Sequence, residues 1–330
     1  MTDHGLGDAP LNDVTLIGGG TQNVLVRFEH GGRTFVLRRG PIHLRPKSNA
    51  SIMREARVLR ALEHSAVPHP RLIATCADPA VLHGAVFYLM APIDGFNASI
   101  ELPQLHASDP SIRHRMGLEL ADALAKLAEI DYEACGLADF GKPAGFLERQ
   151  VPRWLAELES YRTYPGYPGT YLPGVREIAS WLLQHQPATF SPGIMHGDFH
   201  AANVMFSRSG PEVAAIVDWE MSTIGDPLLD LGWLLATWRL PGNPREVGGE
   251  LGGTTGLADA DEIVAQYARV SSRDLSSIPW YTVLACFKLG VLLEGTRARA
   301  YAGKAQMDVG QRLHETAVAL FERAADVMAA

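Results

Sequence analysis

The stretch IMHGDFHAANVMF, residues 194–206, sets His196, Asp198, His200 and Asn203 inside an otherwise apolar, strand-like run. Three readings compete for it. In the first, Asp198, Asn203 and Asp218 of the later IVDWE run lie on paired β-segments. They supply hard oxygen ligands for magnesium, with one carboxylate left to take or orient the proton of an attacking hydroxyl. In the second, His196, Asp198 and His200 are ligands of a metal-dependent hydrolase, because alternation along a strand can place all three on one face. No H-E-x-x-H run accompanies them, and HETAV at 314–318 lacks a second histidine. In the third, the run is a buried polar loop whose groups satisfy one another.

What precedes this run bears on the choice. LIGGGTQNVLVRF at 16–28 reads as a strand, three glycines and a returning strand, a hairpin whose tip lets backbone N–H groups approach phosphate. No G-K-[ST] follows, and a strand rather than a helix comes next, so it is neither a Walker loop nor a dinucleotide fingerprint. RTFVLRR at 33–39 is a further strand, carrying Arg38, a cation able to reach phosphate oxygens. SNASIMREARVLRALEH at 48–64 reads as a helix behind Ser and Asn caps, with Ile52, Ala56 and Leu59 on one face and Glu55 placed to hold Arg38. AVFYLMAPIDG at 85–95 is another strand ending in a Pro/Gly connector. Residues 1–92 are thus expected to form a small β-rich lobe and 93–330 a larger, mainly helical one, an α+β chain.

Amphipathic periods mark helices at 111–130, 146–161, 176–185, 260–270 and about 277–302. ANVMFSR and VAAIVDWE read as two strands joined by SGPE, and Asp230 opens an apolar helix after the Asp226–Pro227 turn. Asp226 and Asp230 read as support for the loop behind the metal site. Two irregular stretches, 161–174 and 239–256, read as connectors, with a substrate lid as the lesser alternative.

A formal charge of −8 over 330 residues argues against a general nucleic-acid binder. Three widely spaced cysteines without a C-x-x-C favour reduced thiols and a cytoplasmic setting, and they remove a cysteine-based zinc site. The start, MTDHGLGDAPLNDV, lacks the pattern of a secretory signal. YTVLACFKLGVLL, interrupted by Lys288, reads as a buried helix too short to cross a bilayer, so no membrane role is expected.

In this order the segments resemble the aminoglycoside phosphotransferase-like family, relatives of the eukaryotic-type protein kinases. The resemblance rests on GGGTQNVLVRF, FVLRR, SIMREARVLRAL, FYLMAPIDG, HGDFHAANVMF and IVDWEMSTIGDPLLDLGWLL, over about residues 14–235. The D-x-x-x-x-N spacing matches the kinase catalytic loop, with glycine where arginine is usual. V-L-R after the hairpin and D-W-E-x-S-T-x-G-D-P are shared with kinase-like domains found fused to, or alongside, acyl-CoA dehydrogenases.

The resemblance implies a protein-kinase-like two-lobed fold and transfer of the γ-phosphoryl of ATP, with GTP as the alternative, to a hydroxyl on a small molecule. It implies that Gly18, Gly19, Gly20 and Thr21 cover the nucleotide phosphates, and that Arg38 stands in for the phosphate-binding lysine with Glu55 as its partner. Met90, Ala91 and Ile93 would line the adenine edge, Asp198 would act as base, and Asn203 and Asp218 would bind Mg2+. His196 would brace the loop. Arginine at 38 changes reach and geometry, and Arg39 is an alternative contact. The acidic DADE at 259–262 and Asp274 make no convincing cage for a polycationic aminoglycoside. The rival from another class is a catalytically silent nucleotide-binding protein.

Overall fold

The alternating runs near the start pair into one antiparallel sheet. It contains β1 (Leu11–Ile17), β2 (Val24–His30), β3 (Arg33–Arg39), β4 (Leu72–Cys76) and β5 (Phe87–Met90), in the order β1-β2-β3-β5-β4. The computed structural model describes residues 5–18, 23–239, 251 and 254–330. Gly31 and Gly32 both take positive φ, 57° and 72°, the backbone a two-residue hairpin requires. Along β3 the period of two sends Val36 and Arg38 to one face and Phe35, Leu37 and Arg39 to the other. β4 has no strong pattern of its own and exists through its pairing with β5.

Helix α1 (Ser48–Leu62) packs its buried stripe of Ile52, Glu55, Ala56, Leu59 and Leu62 on the Val36/Arg38 face. The expected caps do other work. Ser48 lies inside the helix and its Oγ accepts from the Arg45 N–H. The Asn49 amide clasps the lead-in to β5, donating to Gly84 O and accepting from Val86 N–H. At the far side of α1, Arg54 lies over the Phe140 ring, 3.9 Å from its centroid, and donates to the carbonyls of Phe140 and Ser222. Arg57 donates to Gly136 O and pairs with Asp139.

The rest is mainly helical: α2 (Gln104–Ser108), α3 (Pro110–Ala128), α4 (Gln150–Ser160), α5 (Val175–Gln184), α6 (Leu228–Thr237), α7 (Ala260–Val270), α8 (Ile278–Tyr301) and α9 (Met307–Ala329). Two small sheets interrupt it. One is ordered β6 (Phe96–Asn97), β8 (Val204–Phe206), β9 (Val213–Ile216), and the other pairs β7 (Gly193–Met195) with β10 (Thr223–Gly225). A continuous apolar core runs from the α1 face of the sheet into these helices, and a smaller cluster around Phe28, Phe35, Ala74 and Leu89 covers the other face.

α8 matches the helix expected at about 277–302, but not the expectation of an apolar run too short to cross a bilayer. It has 24 residues, long and apolar enough to cross a membrane by length and composition, with 78% of its most apolar window buried inside the fold. Asp259 and Glu262, two of the three acids of DADE, form a reciprocal capping box at the start of α7, so they are engaged in helix initiation. The 161–174 connector is pinned by buried Tyr161 and Leu172 and by Tyr167, whose hydroxyl donates to the fully buried Glu294. Most of 239–256 lies outside the described residues.

α6 and α8 cross closely at Gly232, where an added Cβ would stand 2.5 Å from the backbone oxygen of Tyr281. Alanine there gains about 1 kcal/mol of helix propensity. Overpacking against unyielding backbone costs about 1–3 kcal/mol. Gly232→Ala is therefore expected to lower the midpoint of thermal or urea unfolding, and an unchanged or raised midpoint would contradict this account of the crossing.

Candidate active site

The chain leaving β7 enters a loop held almost entirely through its backbone. Asp230, near the start of α6, accepts from the N–H of His196 at 2.6 Å and of Gly197 at 2.8 Å. Burial pushes this carboxyl upward, against the pull of His196 and the two N–H groups. The His196 ring donates from Nε2 to Val217 O at 2.9 Å and accepts at Nδ1 from the Asp198 N–H at 3.3 Å, a pairing that requires the proton on Nε2. Gly197 turns the corner at φ +87°, where a Cβ would meet Met221 O at 2.5 Å. His196 is fully buried with both ring nitrogens engaged, so it cannot join Asp198 and His200 around a metal. Among the described residues no three His, Cys, Asp or Glu side chains form a metal-binding group. The hydrolase alternative fails on this geometry.

Beyond the corner, Asp198 and Asn203 meet. Asn203 Nδ2 donates to the backbone oxygen of Asp198 at 2.9 Å and to its Oδ2 at 3.2 Å. His200 Nε2 lies 3.5 Å from Asp198 Oδ1. Burial alone would raise the Asp198 pKa, but the hydrogen bond and charge of His200, with His196 and Lys288 behind it, hold it at about 2. Asp198 is thus a carboxylate at neutral pH.

Asp218 stands at the end of β9, beside this loop. Val217 N–H bonds to Asn203 O at 2.9 Å, and Val204 pairs with Ile216. Asp218 takes φ +66°, a left-handed conformation that aspartate tolerates better than most residues. Its Oδ1 accepts from Arg38 Nη2 at 2.6 Å, while Arg38 Nε lies 2.7 Å from Glu55 Oε2. The Tyr88 hydroxyl donates to the same Glu55 oxygen at 3.1 Å. Burial works against the Arg38 charge, and Glu55 and Asp218 more than offset it, so the guanidinium stays protonated. Arg39 faces the opposite side of the sheet, donating to Gly40 O and Pro41 O.

Two oxygens suit a hard cation. Asn203 turns its nitrogen to Asp198, leaving Oδ1 without a partner among the described residues. Among the same residues Asp218, 39% exposed, has only Oδ1 engaged. The donor set fits magnesium, which favours carboxylate and carboxamide oxygens.

Other expected residues fall less tightly together. Gly18 is exposed with nothing within 4 Å of an added Cβ, and Gly19, Gly20 and Thr21 lie outside the described residues. Met90 ends β5 in the core, and Ala91 and Ile93 are half-buried in the connector towards β6. Three contributors were not anticipated. Glu220 sits close enough to Asp218 that burial and that neighbour push its carboxyl upward. Asn23, just past the glycines, donates to Glu220 at 3.3 Å. Lys288 reaches Gly197 O from α8, and its only mark in the sequence was a charge inside an apolar run.

The profile of the family described as "Phosphotransferase enzyme family" matches residues 13–263. A similar curated protein is mouse Acyl-CoA dehydrogenase family member 10, 27% identical over 92% of this chain and 29% of its own length. The chain spans less than two fifths of the curated relatives it matches. A solved structure from Ralstonia eutropha, described as a candidate aminoglycoside phosphotransferase, is 28% identical with a TM-score of 0.79, over 99% of this chain and 98% of that one. A thermostable mutant of aminoglycoside phosphotransferase APH(4)-Ia, in ternary complex with ADP and hygromycin B, shares the fold at a TM-score of 0.62 and 14% identity, over 94% of each chain. The two-lobed, kinase-like architecture and the extent of the family match place this chain in the phosphotransferase enzyme family.

Proposed function

We propose that the protein transfers the γ-phosphoryl group of ATP to a hydroxyl on a small molecule, in a magnesium-dependent reaction. The observation that carries this reading is the meeting of two lobes at one carboxylate: Arg38, backed by Glu55, pairs with Asp218 beside the loop that holds Asp198 against Asn203. In the proposed reaction Arg38 holds phosphate oxygens and Glu55 keeps it in place. Asn203 and Asp218 would hold magnesium, which would supply charge neutralisation for the phosphates. Asp198 orients the acceptor hydroxyl and takes its proton as the new O–P bond forms and ADP departs. A carboxylate with so low a pKa is a weak base, so its contribution is chiefly orientation, with charge stabilisation supplying the rest. The ADP complex of the APH(4)-Ia neighbour supports an adenine nucleotide, and GTP is the alternative donor.

For the acceptor, the resemblance to acyl-CoA dehydrogenase family members supports a hydroxyacyl-CoA-type metabolite over an aminoglycoside-like alcohol. The charge pattern agrees. Asp259 and Glu262 are engaged in capping α7, and the charge that α8 brings to the Asp198 loop is a lysine, unsuited to a polycation. One observation favours the second reading, a silent nucleotide-binding protein: arginine replaces lysine at 38 and already occupies one oxygen of Asp218. ADP release across a panel of hydroxyl compounds, including hydroxyacyl-CoAs and aminoglycosides, separates the two, because a silent protein binds nucleotide without turnover.

Asp198→Asn is expected to lower turnover at least ~100-fold while leaving nucleotide affinity near the wild-type value. Near-normal turnover would remove the role given to Asp198. Asp218→Ala is expected to abolish the part of ATP binding that depends on magnesium. Nucleotide titrations of that variant that still respond to added magnesium would count against the ligand assignment.

A further inference from the structure

Lys288 lies on α8, in the middle of a long and largely buried helix, and is only 7% exposed. Its ammonium lies over the Trp233 ring at 4.4 Å and 5.7 Å from the Trp154 ring, and it donates to Gly197 O at 3.3 Å. A buried ammonium is costly unless something compensates it, and a methionine would fill the same space without that cost. Here the two indole faces and the Gly197 carbonyl supply part of the compensation.

We propose that Lys288 is a positioning residue for Asp198, a role that rests on the phosphotransferase reading above. The argument is geometric. Gly197 has no side chain to limit its rotation, yet the chain must leave it in one direction for Asp198 to face the cleft. The peptide joining Gly197 to Asp198 is held at both ends: its carbonyl by Lys288, its N–H by the His196 ring. The N–H of Gly197 itself is held by Asp230. Without Lys288 the buried carbonyl loses its partner and the 197–198 peptide is free to turn, carrying the Asp198 carboxylate with it. The charged groups facing the ammonium are Asp230 from α6, Asp198 from the loop and Arg153 from α4. Burial pulls the lysine down to about 8, against the pull of the two carboxylates.

The test uses the full chain with Lys288→Met and Lys288→Arg, measuring ADP release with the best acceptor, KM for ATP and the melting temperature. Lys288→Met is expected to lose kcat by about 10²-fold with KM for ATP little changed, because displacing a reacting group by about an ångström has that effect. Lys288→Arg, which keeps a cation, is expected to recover part of the loss. Lys288→Met with wild-type kcat overturns the role, as does a kcat loss that merely tracks loss of folded protein. Should Lys288→Met not fold, Lys288→Leu is measured in its place, and wild-type kcat in that variant likewise overturns the role. A wild-type chain that binds ATP but releases no ADP with any acceptor or water sinks the phosphotransferase reading itself. An active wild type beside an unaffected Lys288→Met sinks only the role of Lys288.

Discussion

One guanidinium joins two consecutive elements to a third that lies 180 residues further along the chain. Arg38 comes from the sheet, Glu55 from α1 and Asp218 from the end of β9, and their charged atoms meet at 2.6–2.7 Å. A buried ion pair is a weak source of net stability, because desolvation offsets most of its attraction. Removing one member, though, strands the others at a cost of about 3–5 kcal/mol. Its value here is geometric. The sheet cannot slide over α1, nor α1 leave the helical half, without breaking a contact that the low-dielectric interior makes hard to replace.

The Asp198 loop is built by a different principle. Few of its tethers are side chain to side chain. Asp230 and the His196 ring bind backbone N–H groups, and Lys288 binds a backbone carbonyl. Such tethers fix where the main chain goes and leave the working side chains of Asp198 and Asn203 facing outward. Both supporting carboxylates, Asp226 and Asp230, are buried and pushed upward by that burial, each answered by N–H or O–H donors.

Much of this was legible in the sequence because it depends on residue type at fixed spacing. His196, Asp198 and Asn203 share one loop, Asp218 follows on the paired strand, and Arg38 and Glu55 sit on consecutive elements that must pack. The choice between Arg38 and Arg39 needed strand pairing, since one residue of register decides which face each one takes. β4, β7 and β10 were not legible. They are three to five residues long, and their stability comes from partners rather than from their own pattern. Asn23, Glu220 and Lys288 were missed for a related reason: each acts through a neighbour distant in the chain, and nothing in its local sequence announces that neighbour. The acids of 259–262 made no convincing cage in the sequence, and Asp259 and Glu262 cap α7, with Glu262 also meeting His114 of α3.

The outer side of α1 carries a consequence for control. Arg54 is stacked on Phe140 and bonded to Ser222 O, and Arg57 is bonded to Gly136 O, so this helix is riveted to the half of the molecule that carries Asp198. An on–off switch that worked by swinging the helix outward would have to break every rivet at once.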